Sequence, residues 1–210
     1  MYAVYHGPIG LRNIAGKVHG LTQVLQDTVQ RFGYRITNGH FFDTLTIDVS
    51  GVVGTSEVVH EVARATGINL RSIDGRHVGV TLDESVGPKD LLALTNVFTS
   101  AAGVSPVSLS DLNTPNTPSI PVALRRTSEF LSHPAFNKHH SETEMLRYIH
   151  HLASKDIGLV HSMIPLGSCT MKLNSTSSMI PVTWPEFSTI HPFVPLDQAR
   201  GYHEVIKVGS

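Results

Sequence analysis

The sequence predicts an α/β fold in which, up to about residue 100, helices cover one face of a small antiparallel sheet. Three observations carry this. Apolar residues recur at three- and four-residue steps from Leu11 to Phe32. Apolar and polar residues alternate between Phe41 and Val49. Asp74-Gly75 stands between two further alternating runs.

Pro8 suits the first turn of a helix, where its missing N–H leaves no bond unmade. Leu11, Ile14, Val18, Leu21, Leu25, Val29 and Phe32 then line one face, and Gly33 caps the end. A half-buried strand follows. Phe41, Leu45, Ile47 and Val49 alternate with Phe42, Thr44, Thr46 and Asp48, and Asp43 breaks the pattern on the apolar side. Residues 55–66 read as a second helix. Thr55 is its N-cap, Glu57 suits the positive end of the dipole, Val58, Val59 and Val62 point inward, and Gly67 closes it. "INLRSIDGRHVGVTL" reads as a hairpin with a two-residue turn. A third helix starts near Pro88, with Leu91, Leu92, Leu94, Val97, Phe98 and Ala101 on its core face. Nothing in this layer demands a catalytic reading, and its histidines read as surface or packing residues.

Residues 103–121 change in texture. Pro106, Pro115, Pro118 and Pro121 punctuate serine, threonine and asparagine, which marks a linker or long surface crossing and a boundary. Beyond it, Ser141 and Glu144 form a capping box ahead of Met145, Leu146, Tyr148 and Ile149, for a helix running to about Ser154. "WPEFSTIHPFVPLDQARGY", with Pro185, Pro192 and Pro195, reads as extended or looping. A long irregular stretch in an ordered protein is usually functional or packed on a partner. "GYHEVIKVGS" reads as no more than a first helical turn.

Composition narrows the class. Of 210 residues, 40% are hydrophobic and 16% charged, which fits a packed core rather than disorder. The net charge is -1 and no basic stripe appears, which argues against nucleic acid. No apolar run approaches the ~20 residues of a membrane span. The single cysteine excludes an internal disulfide framework. "MYAVYHGPIGLRN" has neither the pattern of a signal peptide nor that of an Arg/Ser-rich transit peptide, and it reads like the interior of a domain. The thirteen histidines cluster only as His139/His140 and His150/His151, pairs that lie on either side of one predicted helix and too far apart to converge on a metal.

The stretch "HSMIPLGSCTMKLNS", His161 to Ser175, crowds small polar side chains behind a Pro-Leu-Gly turn. Three readings compete. Cys169 is a nucleophile with His161 or His191 as base, which needs a nearby cation or helix N-terminus to lower the thiol pKa. Lys172 is a Schiff-base or general-base lysine, although Ser168 and Lys172 are four apart and miss the Ser-x-x-Lys spacing. Or the loop is a binding wall, in which Gly167 permits close backbone approach and consecutive N–H groups hold a phosphate or carboxylate. The blander form of the third reading is a tight loop whose serine and threonine cap a following helix.

Two long stretches carry a resemblance. "RTSEFLSHPAFNKHHSETEMLRYIHHLASKDIGLVHSMIPLGSCTMKLNS" and "TWPEFSTIHPFVPLDQARGY" resemble the pyridoxal-phosphate-dependent glycine decarboxylases, the P-proteins of the glycine cleavage system. "YAVYHGPIGLRNIA" and "FFDTLTI" resemble the same family, so the likeness reaches nearly all of residues 1–200, weakest in the 103–121 linker.

The resemblance implies a middle segment of a longer chain with two aminotransferase-like halves, and hence a fragment of a fold-type I pyridoxal-phosphate transferase. Residues 1–103 would be the small C-terminal α/β subdomain of the first, non-catalytic half. Residues 104–126 would be the Pro/Ser/Thr-rich linker, and 127–210 the truncated start of the cofactor-carrying half. The family decarboxylates glycine on pyridoxal phosphate, passes the aminomethyl group to the lipoyl group of H-protein, and self-associates as a dimer. Its Schiff-base lysine lies in a histidine-lysine motif ahead of a glycine-rich run. Lys17, Lys89, Lys138, Lys155, Lys172 and Lys207 all lack that context. The resemblance thus implies no catalytic lysine here and little independent activity. By the same resemblance Ser168, Cys169, Thr170, Lys172 and His191, and more weakly Gln198, would line the substrate and lipoyl channel, or pack the interface between the halves. A mitochondrial matrix location is likewise expected. The rival reading is a non-catalytic, partner-binding isoform.

Overall fold

The computed structural model describes residues 1–112, 120–158, 161–163 and 174–209. The chain divides into two compact units, Met1–Tyr148 and Ile149–Ser210.

The first unit is mixed α/β around a four-stranded antiparallel sheet. Helix α1 spans Tyr2–Arg31 and breaks at Gly7 (φ 62°, ψ −177°), so the regular helix begins at Pro8. Val18, Thr22, Leu25 and Val29 are buried along one stripe. The buried threonines satisfy their hydroxyls on the preceding turn, Thr22 donating to the Val18 carbonyl (2.9 Å) and Thr28 to that of Val24 (2.7 Å). The helix ends in a Schellman motif. Gly33 takes φ 89°, its N–H bonds the Gln30 carbonyl, and the Tyr34 N–H bonds that of Val29.

The sheet is built from β1 (Arg35–Ile36), β2 (Thr44–Asp48), β3 (Arg71–Ser72) and β4 (His77–Thr81), in the order β1-β2-β4-β3. In the β2–β4 ladder Leu45 faces Val80 and Ile47 faces Val78. These four point to one side and are buried there. Helix α2 (Ser50–Val53) leads into α3 (Ser56–Ala65), and α4 (Pro88–Ala101) closes the layer. Val59 and Ala63 of α3, Leu91, Leu94, Val97 and Phe98 of α4, and Val24, Leu25 and Val29 of α1 meet the sheet in one apolar core. Tyr34 seals its end. The ring stands edge-on to Phe98 (centroids 5.4 Å apart), and its hydroxyl donates to the Phe98 carbonyl at 2.8 Å. Burial pushes the Tyr34 phenol up to about 12.

Several expectations shift in detail. The expected nine-residue strand pairs over only five residues, Thr44–Asp48. Phe42 instead leaves the ladder and stacks on His19 of α1 (5.4 Å, 9°). The hairpin turn has three residues rather than two. Ile73 still bonds His77 (3.3 Å), and Asp74, Gly75 and Arg76 bridge them. Asp74 fixes this turn by accepting from the N–H groups of Arg76 (2.7 Å) and His77 (2.9 Å) and from the His77 ring (2.9 Å). Strand β1 and helix α2 have two and four residues, too short for any periodicity to register.

The rest of the first unit returns to α1. A 3-10 turn at Pro134–Phe136 packs against that helix, and Phe130 lies under the guanidinium groups of Arg12 (5.1 Å) and Arg126 (5.5 Å). Helix α5 (Glu142–Ala153) starts on the expected cap, with the Glu144 N–H donating to Ser141 Oγ at 3.3 Å. It runs across the boundary between the units.

In the second unit α6 (Thr176–Met179) and a 3-10 turn at Ile180–Thr183 come first, and the expected looping stretch from Trp184 is then broken by α7 (Pro185–Ser188) and a 3-10 turn at Leu196–Gln198. The expected single terminal turn is a ten-residue helix, α8 (Arg200–Gly209). Among the described residues no helix is long and apolar enough to cross a membrane.

Candidate functional site

The motif "HSMIPLGSCTMKLNS" is framed by described residues at both ends. Its centre, with Ser168, Cys169, Thr170 and Lys172, lies outside them. On the near side, the Ser162 hydroxyl donates to the Gly158 carbonyl at 2.8 Å and Met163 is exposed. On the far side, Ser175 is the N-cap of α6. Its Oγ accepts from the Ser178 N–H at 3.1 Å, and its carbonyl accepts from the Ser178 hydroxyl at 2.8 Å. The last serine of the motif thus does the work of a helix cap.

His191 is exposed. Its Nδ1 accepts from the Phe193 N–H at 3.0 Å, and its ring leans on Phe193 (5.8 Å). With Nδ1 engaged as an acceptor, Nε2 is the ring nitrogen left to donate. Gln198 closes the 3-10 turn Leu196–Gln198 through its N–H to the Pro195 carbonyl (3.0 Å). Trp184, Phe187 and Tyr202 form a short aromatic row between these elements, with centroid spacings of 6.3 and 5.7 Å.

Pyridoxal phosphate needs a lysine whose amine is stripped of water, so that it is neutral and nucleophilic at ordinary pH. Lys17, Lys89, Lys138, Lys155 and Lys207 are all exposed. Lys17 donates to the Glu84 carbonyl (2.9 Å), and Lys207 pairs with Glu204 (3.0 Å). The described residues therefore do not fit this cofactor. Among the described residues no group of three histidine, cysteine, aspartate or glutamate side chains is placed to hold a metal.

Two polar constellations in the first unit were not legible as such. Asp48, 6% exposed at the end of β2, accepts from the Ser50 hydroxyl (2.6 Å), the Ser50 N–H (3.0 Å) and Arg35 (3.0 Å), with Arg76 at 3.8 Å. The Ser50 bonds above all, then Arg35 and the Arg76 charge, hold its carboxyl far below the usual carboxylate range. A carboxylate so satisfied is a structural tie between strand ends and no proton carrier. The second lies at the Gly7 break. His140 donates through Nδ1 to the Tyr5 carbonyl at 2.7 Å, and a Cβ on Gly7 would meet His140 Cε1 and the Phe136 carbonyl at 2.7 Å. Gly7-Pro8 is visible in sequence as a helix start. Its partner, 133 residues further on, is not.

Comparison with known proteins places the chain. The glycine cleavage system P-protein family model matches residues 1–98. A Paraburkholderia xenovorans (strain LB400) glycine dehydrogenase (decarboxylating) is 49% identical over 98% of this chain and 21% of its own length. The Stenotrophomonas maltophilia (strain R551-3) protein of the same name is 51% identical over 98% of this chain and 20% of its own. The chain thus spans about one fifth of the length of these relatives. They are bacterial proteins, from organisms without mitochondria, and this overturns the expectation of a mitochondrial matrix location. With half of its residues identical across nearly its whole length, and with the family model covering most of the first unit, the chain belongs to the glycine cleavage system P-protein family.

Proposed function

We propose that this chain is a stretch of a glycine dehydrogenase (decarboxylating), the enzyme that releases the glycine carboxylate as CO₂ and passes the aminomethyl group to the lipoyl group of H-protein. The observation that carries the reading is identity of about half over 98% of the chain to relatives of that name. Pyridoxal phosphate and self-association belong in this proposal to the whole P-protein. The chain's own part is architectural. Residues 1–103 are the small subdomain of the first, non-catalytic half of a fold-type I transferase. Residues 104–126 are the crossing, and 127–210 open the cofactor-carrying half. Supporting this division is the apolar core, whose buried members all fall between Val24 and Phe98.

Within that reading Ser168, Cys169, Thr170, Lys172 and His191 line the channel for glycine and the lipoyl arm. His191 is exposed and has Nε2 left to donate, which suits such a wall.

A chimera tests this. The matched stretch of the Stenotrophomonas maltophilia relative is replaced by this chain, and glycine decarboxylation is followed with lipoylated H-protein present. Activity within about tenfold of the parent is expected. A folded, cofactor-loaded chimera without activity overturns the proposal and favours the partner-binding reading. Cys169→Ser in the same chimera is expected to keep decarboxylation within about tenfold, whereas loss of a nucleophile costs several orders of magnitude.

A further inference from the structure

An asparagine side chain is most open to attack by the next backbone nitrogen when glycine follows it, because glycine brings no Cβ to hinder the approach. Asn38-Gly39 is the one such pair in the sequence, and every other asparagine precedes a residue with a side chain. The fold sets this pair in the connection between β1 and β2. The ladder pairs Ile36 with Ile47 and reaches one residue further, where the Thr37 N–H donates to the Thr46 carbonyl at 3.0 Å. There the main chain leaves the strand and a side chain takes over, with the Thr46 N–H donating to Asn38 Oδ1 at 2.5 Å. Only the amide oxygen can accept that bond, so the side chain has one orientation. Asn38 is half-buried, whereas Gly39 and His40 are exposed. A Cβ on Gly39 would meet nothing within 4 Å, and among the described residues nothing accepts from its N–H. The attacking nitrogen is thus wet and unhindered. The amide it attacks is held by its oxygen, and the donor there stands where negative charge gathers during the attack.

Asp74-Gly75 is the contrast. The Asp74 carboxylate accepts from the N–H groups of Arg76 and His77 and from the His77 ring. The main chain is tied as well, the Asp74 carbonyl to the Ser56 hydroxyl (2.7 Å) and the Gly75 carbonyl to the Ser56 N–H (2.9 Å). The Arg76 bond first, then the His77 ring, hold the Asp74 carboxyl below its ordinary range. An ionised carboxylate is a poor target for a nitrogen nucleophile.

We propose that Asn38 is a site of spontaneous modification, at which the Gly39 nitrogen closes a succinimide ring and water opens it to aspartate and isoaspartate. First the Gly39 nitrogen gives its proton to solvent base, and its electron pair forms the bond to Asn38 Cγ. The tetrahedral carbon then expels Nδ2, which takes a proton from water and leaves as ammonia. Water next adds to either ring carbonyl. Breaking the bond from Cγ to nitrogen gives aspartate, and breaking the bond from the Asn38 carbonyl carbon to nitrogen gives isoaspartate. One water enters, one ammonia leaves, and nothing is oxidised or reduced. The aged chain gains a negative charge beside the β1–β2 edge. This chemistry needs nothing from the family reading.

The purified 210-residue chain is aged at mildly alkaline pH and digested, and its peptides are followed by mass spectrometry with fragmentation that separates aspartate from isoaspartate. Loss of the Asn38 amide is expected about tenfold faster than that of any other asparagine, at a rate that climbs with pH. It is also expected within about tenfold of the rate in the urea-unfolded chain. Asp74 should stay unchanged over the same time. Gly39→Ala should slow the reaction about tenfold, and it should leave the melting temperature unchanged because the added Cβ enters open space. An Asn38 amide as long-lived as the other asparagines overturns the proposal. So does protection of Asn38 by the folded chain beyond that margin, which means that the fold closes the site. So does a rate indifferent to Gly39→Ala, which means that the ring does not close through that nitrogen.

Discussion

Asp48 is a buried carboxylate whose partners come from three places in the chain: Ser50 beside it, Arg35 one strand away and Arg76 in the hairpin turn. Its folded pKa is depressed, so its contribution is complete above the ordinary carboxylate range and is lost as pH falls through that range toward its lowered value. Asp48→Asn should be less stable than the parent at pH 7, and the gap should narrow between about pH 4 and pH 2. Urea midpoints across that range measure it, and a gap constant with pH would refute the tie. In the sequence, Asp48 is simply a polar residue on the wet side of an alternating strand. Its role depends on a ladder that sets Asp48 opposite His77, next to Arg76. Cross-strand register is not a local property.

Helices with a full stripe and a cap were the readable elements. The regular part of α1 begins at Pro8 and ends before Gly33, α3 falls within a residue of its expected limits although Thr55 makes no side-chain cap bond, and α4 starts at the expected Pro88, because propensity and periodicity agree there. The short pieces were unreadable for want of length, and α8 was underestimated although Tyr202, Val205 and Ile206 recur in it at three- and four-residue steps. The start of α1 adds a constraint no local pattern holds. Gly7 sits in a backbone region essentially reserved for glycine, and its missing Cβ also makes room for His140 and the Phe136 carbonyl. Gly7→Ala should cost about 1–3 kcal/mol through strain alone. It should also lift residues 126–140 from α1, with faster proteolysis near Phe130 while the sheet core stays protected. Unchanged cleavage would separate the glycine from the docking of that segment.

At the scale of the molecule, the first unit holds its own core, and among the described residues of the second only Ala199 is a buried hydrophobic. The sequence resemblance already pointed to the P-protein family, and identity over 98% of the chain agrees with it. The channel-lining roles rest on that resemblance; Ser168, Cys169, Thr170 and Lys172 lie outside the described residues, and of the named candidates His191 and Gln198 are placed. A ten-residue helix without a buried face is marginal in water, whereas helices locked into a core open only with the whole unit.

Native-state hydrogen exchange on the 210-residue chain tests this contrast most directly. The account predicts strong protection in residues 18–29, 44–48, 78–82 and 91–99, and near-free exchange in residues 200–209. Uniform protection across both sets would contradict it.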